Sequence, residues 1–118
     1  MGRGHGFVAL VEDLLRPLGG VTVRRMFGGY GIFKSGVMFG LIADDRLYLK
    51  TDQGNRANFE AADLEAFVYE KQGRATAMSY NRAPDEGFDD PEVMLAWASE
   101  AFAAACRQRS KTSRGRTA

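Results

Sequence analysis

A change of hydrophobic period at Gly19-Gly20 constrains this chain more than any other feature. Ahead of it, Phe7, Leu10, Val11, Leu14, Leu15 and Leu18 recur at i, i+3, i+4, i+7, i+8 and i+11, which is one face of an amphipathic α-helix. Pro17 cannot donate to the helical ladder and the two glycines break it, so the helix is expected to end between Arg16 and Leu18. Beyond the glycines the period is two. Val21 to Phe27 reads as a strand, Tyr30 to Lys34 as another, and Ser35-Gly36 as a tight turn into Val37 to Ala43. After a turn at Asp44-Asp45, the segment Arg46 to Lys50 alternates cleanly. Leu47 and Leu49 share one face, which is expected to be buried, while Arg46, Tyr48 and Lys50 share a wet one.

The rest of the chain returns to helix by way of one more hairpin. Asp52 or Asn55 can cap a short helix at about Arg56 to Ala61, anchored by Phe59. Phe67-Val68-Tyr69 and Ala75 to Tyr80, joined by a turn at Gln72-Gly73, read as a final hairpin, and Asn81 to Asp90 as an exposed loop. Asp90-Pro91-Glu92 is a strong helix start, with Asp90 as cap, proline in the first turn and an acid at the positive end of the dipole. Leu95, Ala98, Phe102 and Cys106 form the apolar stripe that follows, widened by Met94, Trp97 and Ala101. The expected fold class is α+β, an antiparallel β-sheet flanked by N- and C-terminal α-helices.

At 118 residues, 45% of them apolar and 26% charged, the chain has the size and balance of one soluble globular domain. No apolar run approaches the ~20 residues that cross a bilayer. The amphipathic N-terminal segment lacks the unbroken apolar core of a secretory signal, so the expected location is the cytoplasm, with no membrane partner. A lone Cys106 and a lone His5 provide neither an internal disulfide nor a Cys/His metal set, and no cofactor is expected. Charge is unevenly placed. Residues 1–106 hold 11 basic and 15 acidic side chains, whereas 107–118 hold Arg107, Arg109, Lys111, Arg114 and Arg116 and no acid. The expected organisation is a single domain over 1–106 and a disordered basic tail over 107–118, because the tail has too little apolar surface to offset the entropy of ordering. Such a tail either keeps the protein soluble or holds a nucleic acid or acidic partner by charge.

Arg24-Arg25-Met26-Phe27-Gly28-Gly29-Tyr30-Gly31-Ile32-Phe33 is the densest motif. It fails as a P-loop, because Lys34-Ser35 follows Phe33 rather than glycine, and as a dinucleotide fingerprint, because Lys34 holds the third glycine position and a strand follows. Against the RNA-recognition signature it keeps Gly29, Tyr30 and Gly31, but Ile32 and Ser35 replace two of the stacking aromatics. The structural reading makes Gly28-Gly29 a bulge or corner between strands, with Met26, Phe27, Tyr30 and Phe33 in or beside the core. Asp44-Asp45 and Asp89-Asp90 sit where aspartate serves local hydrogen bonds, no serine has a triad partner, and Cys106 lies on an apolar stripe. Nothing in the residues points to an enzyme.

"RRMFGGYGIF", "GVMFGLIADDRLYLKTD", "NRANFEAAD", "MSY" and "DPEVMLAWASEAFAAA" come in the order and spacing of the N-terminal domain of the TfoX (Sxy) family, which the chain resembles from about Phe7 to Arg107. The resemblance implies an α+β domain with a helix-flanked antiparallel sheet. It also implies a non-catalytic bacterial regulatory module, one that acts with the cyclic-AMP receptor protein at competence promoters. Longer members carry a second, C-terminal domain that the resemblance does not reach. Met26-Phe27-Gly28-Gly29 maps onto the family motif, with an architectural role. The expected partner surface is the sheet around Arg24, Arg25, Tyr30, Arg46, Tyr48 and Lys50, where cationic and aromatic groups meet a protein, a second copy in a homodimer, or nucleic acid assisted by the tail.

Overall fold

The change of period at Gly19-Gly20 becomes a change of layer. The computed structural model describes residues 3–26 and 28–117, with side chains from Gly6 to Met26 and from Gly28 to Ser110. The chain runs α1 (Arg3–Leu15), a 3-10 turn at Arg16–Leu18, β1 (Val21–Met26), β2 (Gly29–Lys34), β3 (Val37–Ala43) and β4 (Arg46–Lys50). It continues as α2 (Arg56–Ala61), β5 (Ala66–Lys71), β6 (Arg74–Arg82), a 3-10 turn at Asp85–Phe88 and α3 (Pro91–Thr117). The six strands form one antiparallel sheet in the order β1-β2-β3-β4-β6-β5, an α+β fold with helices from both ends of the chain.

Three two-residue turns, Ser35-Gly36, Asp44-Asp45 and Gln72-Gly73, hold positive φ at both positions. That is the type I′ signature, whose twist matches that of the strands it joins. Asp44-Asp45 is therefore a hairpin turn, and aspartate suits it because its short side chain tolerates the left-handed region.

α1 and α3 pack their apolar stripes against one face of the sheet, except that Leu10, expected on the buried face of α1, is 41% exposed. Val11, Leu14 and Leu15 meet Ile32, Phe39, Ile42, Leu47 and Leu49, with Met94, Ala98, Ala101 and Ala105 closing from α3. The alanines let α3 approach closely, and Phe102 packs edge-on to Phe39 at 5.7 Å. Lys34 Nζ donates to the carbonyls of Leu18 (3.2 Å) and Gly19 (2.6 Å), tying the end of the first helical segment to β2. Asp90 Oδ1 accepts the Glu92 N–H at 3.1 Å and caps α3 as expected. Asn55 stands at the N-cap position of α2 without capping it. Its buried amide instead accepts from Asp52 N–H (2.8 Å) and donates to the Lys50 carbonyl (3.0 Å), bracing the end of β4.

Two further expectations need correction. Asn81 to Asp90 is not an exposed loop: Asn81, Ala83, Pro84 and Gly87 are buried, because Ala83 N–H donates to the Leu47 carbonyl at 2.9 Å and prolongs the ladder with β4. The tail differs as well. The backbone of α3 continues to Thr117 through the stretch expected to be disordered, since lengthening an already packed helix needs no nucleation and Arg, Gln and Lys are good helix formers. Arg107 belongs to the domain. Its Nε and Nη2 bind Asp52 Oδ2 and Oδ1 at 2.7 and 2.8 Å.

This fork holds the Asp52 carboxyl at about 2, below the ordinary 3.8; hydrogen bonds from Arg107 are the first cause, and the Gly54 and Asn55 N–H groups act in the same direction. A carboxyl with a depressed pKa adds stability above its unfolded value and loses it as pH falls through the folded one. The pair is thus expected to contribute fully above about pH 4 and to fade towards pH 2. Because the Arg107 side chain is 46% exposed, solvent screening limits the contribution to about 1 kcal/mol. Arg107→Gln should remove this part of the acid sensitivity, and carboxyl NMR titration should show Asp52 returning towards its ordinary value.

Candidate functional site

Only one face of the sheet is covered by the terminal helices. Antiparallel register aligns Arg24, Gly31, Leu41, Tyr48 and Arg82 across five strands, and Arg25, Tyr30, Ile42 and Leu47 across the next row. Since neighbouring residues on a strand point to opposite faces, the first row lies on the open face and the second on the helical one.

The six residues expected to form one partner surface therefore separate. Arg25 and Tyr30 fall on the helical side by alternation, where Tyr30 packs against the core, although Tyr30 also borders the groove of the open face. Arg24 is exposed on the open side, its guanidinium 5.0 Å from the centre of the Phe33 ring. Arg46 is exposed at the start of β4. Tyr48 is only 7% exposed and lies against Phe67 at a ring separation of 4.9 Å, so the face expected to be wet at this point is covered. Lys50 is half-buried with Nζ 5.1 Å from the centre of the Tyr80 ring. Desolvation lowers the Lys50 pKa below its ordinary value, opposed by the attraction of Asp52.

In the glycine motif, Phe27 lies outside the described residues. Gly28 adopts φ +78° just ahead of β2, a conformation glycine takes without strain. Gly29 passes so close to the Ile42 carbonyl that a methyl there would meet the oxygen. Next along the strand, the Met26 sulfur and the Phe33 ring close over Gly31. Each glycine of the motif has a geometric task, and the segment makes a hairpin pressed onto β3 rather than a phosphate cradle.

The open face curves into an apolar groove of about 390 Å³, lined by Met26, Met38, Leu41, Phe67, Tyr69, Met78 and Tyr80, with Lys71 at its margin. Met78 and Tyr69 are 40% and 39% exposed, unusually open for large apolar side chains. The Tyr80 hydroxyl has its pKa raised by burial and stays neutral at physiological pH. The groove offers apolar contact from flexible methionines and stiff aromatics, plus one ammonium group, which suits binding of an apolar segment. Met38, Phe67, Tyr69 and Met78 were absent from the sequence-based surface. The signal for them was present: Val37-Met38-Phe39 and Phe67-Val68-Tyr69 are apolar at successive positions, so both faces of those strands are apolar. Among the described residues no group of three or more His, Cys, Asp or Glu is placed to hold a metal ion, and no helix is long and apolar enough to cross a membrane.

Comparison with known proteins agrees with this fold. The family model described as TfoX N-terminal domain matches residues 13–105. Among curated proteins, DNA transformation protein TfoX1 of Aliivibrio fischeri is 30% identical over 90 residues, which is 76% of this chain and 43% of that protein. The chain spans less than half the length of this relative.

Proposed function

Because the chain belongs to the TfoX N-terminal domain family, we propose that it is a non-catalytic interaction module in the control of DNA-uptake competence, acting in the cytoplasm through the open face of its sheet. The partner on this reading is a transcription regulator, with the cyclic-AMP receptor protein the first to try. Family membership and the relative's name as a transformation protein supply the context. The observation that carries the mode of action is the groove, an apolar and partly exposed concavity on the one sheet face that the terminal helices leave open. Lys71 at its margin and Lys50 beside Tyr80 favour a partner segment that combines apolar side chains with an acidic one.

Met78→Asp tests this reading. The side chain is 40% exposed, so stability should change by no more than about 0.5 kcal/mol, while a charge in the middle of the groove should weaken partner binding by at least about tenfold. Titration calorimetry against purified cyclic-AMP receptor protein, with a competence-promoter reporter in parallel, measures it. Unchanged calorimetry and an unchanged reporter would remove the groove from the interface.

A further inference from the structure

We propose that β5 is a dimerisation edge, on which a second copy of this chain pairs antiparallel about a two-fold axis through Val68 and joins the two sheets into one. The edge shares Phe67, Tyr69 and Lys71 with the groove, but the pairing rests on the outward backbone of β5 and not on the partner the groove takes.

Strand β5 ends the sheet, and no described strand lies outside it. The two sheet edges are built differently. The β1 edge carries the exposed consecutive arginines Arg24 and Arg25, whose like charges oppose pairing with a copy of themselves. The outer strand at the other edge, Ala66-Phe67-Val68-Tyr69-Glu70-Lys71, has no proline or glycine and no charge before its last two residues. Val68 is 53% exposed, the most open large apolar side chain among the described residues. An unguarded apolar edge of this kind is a template for another strand.

The backbone fixes which groups are on offer. Arg82 N–H donates to the Glu65 carbonyl at 2.9 Å, so the Glu65 backbone faces β6. Alternation then turns Glu65, Phe67, Tyr69 and Lys71 inward to β6 and leaves the N–H and C=O groups of Ala66, Val68 and Glu70 facing out. The irregularity in this hairpin leaves β5 regular: Ala66 and Val68 are two residues apart, while their partners Asn81 and Ala77 are four apart, so the extra residues are on β6.

A two-fold axis at Val68 pairs Val68 with Val68 and Ala66 with Glu70, so every outward-facing backbone group of the strand meets another. The same register sets Phe67 opposite Tyr69 and Glu65 opposite Lys71, each twice. Side chains are closest at such non-hydrogen-bonded positions, so the register matches aromatic with aromatic and acid with base. Moving the axis along the strand shortens the ladder and loses both charge pairs. Among the described residues Lys71 has no ion-pair partner, and Glu65 reaches only Arg82 at 3.4 Å, an arginine that also serves Asp85.

Sedimentation equilibrium on the full chain tests the proposal, beginning with the wild type at high micromolar concentration, where a dimer is expected. Val68→Pro removes only an outward N–H, which an edge strand tolerates, and should leave the circular dichroism spectrum and melting point near wild type while abolishing the dimer. Lys71→Glu, at an exposed position, should weaken dimerisation by about tenfold, and the double variant Glu65→Lys/Lys71→Glu should recover it. A monomeric wild type, a dimer that survives Val68→Pro, or a Lys71→Glu loss that Glu65→Lys leaves uncorrected would each overturn the proposal.

Discussion

Gly29→Ala is expected to destabilise the protein by about 3 kcal/mol, a large part of the stability of a domain this size. The reason is a backbone collision. A methyl group at position 29 would run into the Ile42 carbonyl oxygen, with the Ile42 carbonyl carbon at 3.4 Å and Ala43 Cα at 3.7 Å behind it. None of these atoms can rotate away as the end of a side chain does, and Ile42 is held by pairing to Tyr30 on one side and to Leu47 on the other. Relief therefore requires β2 and β3 to separate, which disturbs the layer on which Ile32 and Ile42 meet the helices. Gly28→Ala provides the contrast. A methyl group on Gly28 would have nothing within 4 Å, and only the φ of +78° opposes alanine there, so the cost is limited to about 1 to 2 kcal/mol. Urea denaturation of the two variants measures the difference. Equal losses would mean that turn conformation, and not the close approach to β3, explains the paired glycines.

How much of the fold was legible in the sequence depends on which force set each feature. Strand and helix positions followed from period and punctuation, because Gly19-Gly20, Ser35-Gly36, Asp44-Asp45 and Gln72-Gly73 act locally. Their effect does not depend on the rest of the fold. The Asn81 to Asp90 segment misled because its composition is that of a loop, while its burial comes from a long-range bond to Leu47 and from α3 above it. Arg107 misled in a similar way. Its charge suggested a free tail, and its partner Asp52 lies 55 residues earlier in the chain. The candidate site was legible in part. Alternation sets Tyr48 and Lys50 on the face opposite Leu47 and Leu49, but it does not say whether that second face is covered. Coverage depends on a contact across the sheet, the Phe67 ring of β5 lying 4.9 Å from Tyr48 of β4.

Tyr48→Ala decides between the two readings of that second face. If Tyr48 were a surface anchor, as alternation alone suggests, alanine would leave stability within about 0.5 kcal/mol and act on the partner only. With the ring 7% exposed and packed at 4.9 Å against Phe67, the expected result is a core truncation costing about 3 kcal/mol. The side chain fills the space between β4 and the start of β5. Its loss leaves Phe67 without its neighbour on the sheet and loosens the wall that Phe67 and Tyr80 give the groove. Tyr48→Phe keeps the ring contact and should cost less than about 1.5 kcal/mol. Thermal and urea melts of the two variants give the comparison, and the outcome governs how binding data are read. With Tyr48→Ala destabilised, any loss of a partner follows from the fold, and the exposed groove positions Met78 and Tyr69 report on recognition. With Tyr48→Ala as stable as wild type, the tyrosine returns to the surface with Lys50 and Arg46, and the partner would be sought along β4 instead of in the groove.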